Sequence, residues 1–108
     1  LIHGEWVSCA IDGTTSAVCD LGRVYEKACV LLPTFTSDTC KVQGAMLTGG
    51  TYYDLYTYSP ADGHVDLMQV ESGNGGHFCI FPIGGFQFLK FVTSGSVTGT
   101  FYARGVRS

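Results

Sequence analysis

His77 and Cys79 stand two positions apart in the run His77-Phe78-Cys79-Ile80-Phe81-Pro82, the closest His and Cys in a chain that also carries His3, His64, Cys9, Cys19, Cys29 and Cys40. A cysteine nucleophile needs a base within hydrogen-bond reach, and that base needs a carboxylate to orient it. On a strand, positions i and i+2 share a face but lie about 6 to 7 Å apart along the chain. That is too far for direct proton transfer, so the pair reads as a polar strand-end histidine beside a packed cysteine, and an enzyme is not expected. No C-x-x-C spacing is present to suggest zinc. Asp12, Asp62 and Asp66 fall outside any Asp-x-Asp-x-Asp-Gly loop of the calcium type, and Asp12-Gly13 and Asp62-Gly63 are ordinary turn chemistry. The expectation is no catalytic residue, no metal and no cofactor.

The five cysteines are an odd number, which leaves one unpaired in a monomer. The first four recur about every ten residues, which suits a disulfide framework. Cys29, Cys40 and Cys79, however, lie inside apolar strand patterns, where cysteine acts as a small buried hydrophobe. Buried free thiols are therefore expected first, one or two disulfides second and a metal last.

Recognition chemistry is better represented than catalysis. Tyr52, Tyr56 and Tyr58, with Asp54 among them, fall on one face of a strand, a platform that could stack on a sugar or pack on a protein. A protein interface is the preferred reading, with a glycan as the alternative. Trp6, the single tryptophan, is a second candidate anchor, and Arg104 and Arg107, with Lys90, bring positive charge toward the carboxy-terminal strand.

Composition limits the partners. Net charge is −3 and the six Lys and Arg form no stripe, so nucleic acid is not an expected ligand. Uninterrupted apolar runs such as 28–33, unsurpassed in length in the chain, are far too short to cross a bilayer, and the amino terminus has no signal-peptide pattern. A soluble protein with no membrane partner is expected, and the start at Leu1 implies that an upstream piece has been removed.

Short strands must position these residues. The last third reads as three strands, 77–82, 86–92 and 98–107, separated by Ile83-Gly84-Gly85 and Thr93-Ser94-Gly95-Ser96. Upstream, 2–10 leads to an Asp12-Gly13 turn, with 1–13 as an N-terminal arm. Segment 14–21 alternates, with Ala17, Cys19 and Leu21 inward, and closes at Gly22. Segment 25–32 is a buried strand stopped by Pro33. In 40–46, Cys40, Val42 and Met46 share a face, and Thr48-Gly49-Gly50 turns the chain. Segment 51–58 places Tyr53, Leu55 and Thr57 inward, and a turn at 59–63 leads to 65–70. The Gly-rich loop 72–76 follows. About eight strands with no convincing helical period predict one domain, 1–108, an all-β antiparallel sandwich of jelly-roll type.

The order of these marks resembles a known family. Ser16-Ala17-x-x-Asp20-Leu21-Gly22, Leu31-Leu32-Pro33-Thr34-Phe35, Val42-Gln43-Gly44, Gly49-Gly50-Thr51-Tyr52-Tyr53-Asp54-Leu55-Tyr56, Asp62-Gly63, Phe88-Leu89-Lys90-Phe91-x-x-Ser94-Gly95 and Thr100-Phe101-Tyr102-Ala103-Arg104-Gly105 together resemble the small β-sandwich virion proteins of tailed bacteriophages. The chain departs from that pattern in its five cysteines and its 72–76 loop. The resemblance implies a non-enzymatic structural protein, a capsid decoration or cement protein that bridges neighbouring major capsid subunits. It further implies a place on the outer surface of the virion, after assembly in the host cytoplasm. Shell symmetry suggests self-association as a homotrimer. Head fibre and tail are the alternative positions, with an adhesin-like, carbohydrate-binding module as the alternative role.

Overall fold

The computed structural model describes residues 2–35, 38–61, 63–73 and 76–107. Asp62 and the centre of the 72–76 loop, Asn74-Gly75, lie outside the described residues. Among those described there are eleven strands and no helix: β1 (Ile2–His3), β2 (Val7–Thr15), β3 (Cys19–Tyr25), β4 (Lys27–Leu31), β5 (Asp38–Ala45), β6 (Tyr53–Asp54), β7 (Tyr56–Ser59), β8 (His64–Leu67), β9 (Gln69–Gly73), β10 (Phe78–Phe81) and β11 (Phe86–Arg107). The expected all-β antiparallel sandwich is what the sequence folds into. Its radius of gyration, 13.1 Å, is the value of about 13 Å usual for one domain of this length.

β11 is the element on which the others are hung. It pairs with β1, β2, β3, β4 and β5, every pairing antiparallel. Its first half lies between β3 and β5, with Leu89 opposite Cys19 on one side and Gly44 on the other. Its second half lies between β2 and β4, with Tyr102 opposite Ser8 and Leu31. Beyond β4 comes β10, and beyond β5 come β6 and β9. The sheet thus has two leaves with one strand central to both.

The strand must fold over on itself to serve both leaves. Ten positions of extended chain span about 33 Å, yet the rings of Phe91 and Phe101 are stacked with centroids 4.6 Å apart. The bend falls at Thr93–Ser96, where the register against β2 jumps from Val92↔Thr15 to Val97↔Gly13. The Thr-Ser-Gly-Ser cluster that reads as a turn is therefore a large bulge. Its polar groups are used locally: the Thr93 hydroxyl donates to the Gly95 carbonyl (2.7 Å), and Ser94 Oγ accepts the Thr39 N–H (2.9 Å). The second and third strands expected in the last third are one strand.

Other boundaries move for similar reasons. Asp12-Gly13 does not turn the chain: Gly13 takes a φ of 127° inside β2, and Thr98 Oγ1 donates to Asp12 across the pair (3.1 Å). From Val7 onward the segment read as an arm is therefore sheet. Gly22, at a φ of 86°, bends β3 without ending it, and its N–H is accepted by Asp20 Oδ1 (2.8 Å). Met46 lies past the end of β5 and is 88% exposed rather than inward.

Both leaves turn one face into a shared core. Cys9 and Ile11, Ala28, Val30 and Leu32, Cys40 and Val42, and Leu89, Phe91, Phe101 and Ala103 are all buried in it. Two inner-face glycines admit aromatic rings in place of their own side chains: Phe86 lies against Gly44, and Tyr25 against Gly105. The five cysteines are free thiols. Burial pushes the Cys40 thiol up to about 12. A hydrogen bond to Cys9, then burial, raises Cys19, and the same bond lowers Cys9.

A candidate interaction face

Because side chains alternate along each strand, each leaf also has an outer face, and the two outer faces differ in chemistry. On the β5 leaf, Gln43 stands opposite both Asp54 and Lys90. Lys41 Nζ donates to Asp54 Oδ2 (3.0 Å) and Gln43 Nε2 to Asp54 Oδ1 (2.9 Å). The Gln43 and Lys41 hydrogen bonds hold the Asp54 carboxyl below the usual carboxylate range. Lys90 Nζ lies 4.5 Å from the ring centre of Tyr52, whose hydroxyl donates to the Thr48 carbonyl (2.9 Å). This face satisfies its own polar groups.

The outer face of the other leaf is apolar and open. Cross-strand register puts Phe78, Leu31, Tyr102 and Ser8 in one row, and Ile80, Cys29 and Arg104 in the next. Trp6, just before β2, reaches over these rows: its ring centre is 5.9 Å from that of Phe78, and the Arg104 guanidinium lies 4.8 Å above it. Arg104 is fixed from the other side by Nε donating to the Gly4 carbonyl (2.9 Å). Phe78 is 58% exposed, Ile80 69%, Tyr102 45% and Trp6 42%. Four large apolar side chains around one pinned cation form the kind of contiguous patch that soluble chains reserve for contacts.

A second apolar surface is the β7–β8 hairpin, in which Tyr58 stands opposite Val65 and Tyr56 opposite Leu67. Tyr56, Tyr58 and Val65 are all more than half exposed. The hairpin is rooted on β5 through Leu55, whose N–H donates to the Val42 carbonyl (3.1 Å), and through Met68, whose N–H donates to the Leu55 carbonyl (2.8 Å). Between β10 and this root is a cleft of about 340 Å³ lined by Leu67, Met68, Gln69 and 79–82.

The residues singled out from sequence are thus divided among three places. Trp6 and Arg104 come together on the apolar face. Tyr56 and Tyr58 share the hairpin, but Tyr52 is half-buried under Lys90 and Asp54 is bound to Lys41 and Gln43, so these four side chains do not form one platform. The strand expected over 51–58 is interrupted at Leu55, and that break undoes its alternation: Tyr53 is exposed while Tyr52 is partly covered. Arg107 pairs with Ile2 at the end of β11, and its Nε is buried without a hydrogen-bond partner among the described residues. Lys90 belongs to the other leaf, so it does not join Arg104 in a positive cluster. Sequence reading missed Phe78, Ile80 and Tyr102 as surface residues, because an aromatic-rich run reads as core whichever face it is on. His77 is exposed just outside β10 and Cys79 is half-buried within it, its thiol raised by burial and then by Cys29. Among the described residues no three His, Cys, Asp or Glu side chains are grouped to hold a metal ion.

No protein-family model matches the chain, and no curated protein matches it. Among solved structures it is similar to the crystal structure of SPBc2 prophage-derived protein YomS, with 19% sequence identity, a TM-score of 0.55, and 97% of this chain aligned to 93% of that one. At that identity the likeness is one of fold: nearly the whole of this β-sandwich is laid out as nearly the whole of a prophage-derived one.

Proposed function

We propose that this chain is a non-enzymatic structural protein of a phage particle, a decoration or cement protein that joins neighbouring major capsid subunits from outside the shell. The observation that carries the reading is the contrast between the two outer faces, one self-satisfied and polar, the other presenting Trp6, Phe78, Ile80 and Tyr102 around Arg104. End-to-end likeness to a prophage-derived fold supports it. A cement acts by linkage: whatever binds the assembled shell and not its separated subunits adds its binding free energy to the cost of taking the shell apart. A pinned arginine among aromatics suits that task, since such anchors concentrate binding energy at the centre of an interface.

The test is to quantify the chain against the major capsid protein in gradient-purified particles, and to measure binding of Trp6→Ala and Tyr102→Ala proteins to shells stripped of it. About one copy per capsid subunit is expected, with affinity at least tenfold weaker in each variant, since truncating an interface anchor costs on the order of 2 kcal/mol. Absence from particles would sink the reading, and parental affinity in both variants would move the contact to another face.

A further inference from the structure

The apolar leaf ends in the short strand β10 (Phe78–Phe81). Among the described residues β10 pairs on one side only, with β4. The Leu32 N–H donates to the His77 carbonyl (3.1 Å), which fixes the parity of this antiparallel ladder: odd positions of β10 bond toward β4, and the N–H and C=O of Phe78 and Ile80 point away from it. Among the described residues neither backbone has a partner. The side chains of these same two residues are exposed on the outer face. The strand Phe78-Cys79-Ile80-Phe81 is short, but it carries no charge and no proline within it, two of the devices by which edge strands avoid pairing.

We propose that β10 pairs antiparallel with β10 of a second copy about a two-fold axis at Cys79, joining the two apolar leaves into one continuous sheet. The free hydrogen-bonding positions are symmetric about that axis. Phe78 meets the second copy's Ile80 and Ile80 its Phe78, which forms about four N–H···O bonds from groups that otherwise face solvent. No like charges are brought opposite each other along the strand, and on the outer face each Phe78 packs beside an Ile80. Pairing of two four-residue edges with their flanking side chains buries on the order of 800 Å² in total, the size of a weak interface. The dimer therefore forms at high micromolar concentration, or where a scaffold holds copies side by side. The contact is isologous and closes at two copies, so it does not produce the three-fold assembly that shell symmetry suggests. It does not depend on the proposed virion role.

The two-fold also predicts a chemical signature. Cys79 and its copy face each other at a non-hydrogen-bonded position, with α-carbons about 4.5 Å apart, inside the range of about 4.4 to 6.8 Å that a disulfide spans. Exchange with glutathione disulfide links them: the Cys79 thiolate displaces one glutathione thiolate, and the second Cys79 displaces the other, giving one protein disulfide and two glutathione thiols. The experiment is sedimentation velocity from 10 to 500 μM, with glutathione-disulfide crosslinking at pH 9 on the parent and three variants. Cys79→Ser should keep the concentration-dependent dimer and lose the crosslink. Ile80→Pro removes an edge N–H that the ladder to β4 does not use, and should lose both while circular dichroism and melting temperature are kept. Ile80→Glu, at an exposed position, should do the same and serves as the second variant if proline disturbs the strand. A parent that stays monomeric at 500 μM, a dimer that survives Ile80→Glu, or a crosslink that survives Cys79→Ser would each overturn the proposal.

Discussion

Gly105 shows how little slack the core has at the level of one atom. A β-carbon there would fall within the ring of Tyr25, which is itself only 4% exposed. The ring cannot swing out to water without opening the end of the sandwich. Gly105→Ala is therefore expected to cost about 2–3 kcal/mol, the upper part of the range for overpacked cores, read as a lower urea midpoint at unchanged slope. Cys40 makes a second prediction. Its folded thiol is raised to about 12 from an ordinary value of 9.0, so above pH 9 the unfolded chain loses this proton while the folded one keeps it. Stability contributed by the neutral buried thiol is complete below pH 9 and declines as pH rises toward 12, with a limiting slope of about 1.4 kcal/mol per pH unit. Cys40→Ala should show a shallower alkaline limb than the parent in pH-dependent urea titrations, although its stability at pH 7 is lower because a cavity is left.

At the scale of the element, β11 determines cooperativity. Its first half is central to one leaf and its second half to the other, and the Phe91–Phe101 stack ties the two across the bulge. Neither leaf has a central strand without it. Cutting the chain between Thr93 and Ser94 leaves the first half of β11 between β3 and β5 but takes away the strand between β2 and β4, so residues 1–93 should lack native-like structure on their own, although they hold ten of the eleven described strands whole. Adding 94–108 as a peptide should restore near-ultraviolet dichroism only when the two pieces associate. A folded 1–93 fragment would show that β2 and β4 can form their leaf by another route. The same strand explains a boundary that sequence reading misplaced: Thr93-Ser94-Gly95-Ser96 has turn composition, yet turn composition also suits a bulge, and only the partners on either side decide between them.

Across the whole molecule, the two outer faces differ in chemistry, one closing its own polar network and the other exposing rings around a pinned guanidinium. Much of the molecule is determined by the chain alone. Period-two alternation with Gly and Pro punctuation dictates an all-β antiparallel fold, because residues such as Cys40 and Val42 can be buried together only as strand neighbours on one face. The β7–β8 hairpin and the 27–31 strand are likewise local, so their signals lie within a few residues, although 27–31 is buried on one face only. Trp6 and Arg104 stand out by type, and the structure brings the guanidinium to 4.8 Å from the indole ring centre. What tertiary structure alone decided is how faces and edges are assigned. Leu55 interrupts its strand because its N–H and carbonyl bond to β5 and to Met68, and that separates Tyr52 from Tyr56 and Tyr58. Phe78 and Ile80 are surface residues because, among the described residues, no element covers the outer face of β10, and no property of those side chains tells an outer face from an inner one. Burial of a strand residue depends on which segment of the chain covers it, and in a sheet whose central strand pairs with positions far away in sequence, that segment is chosen by the fold.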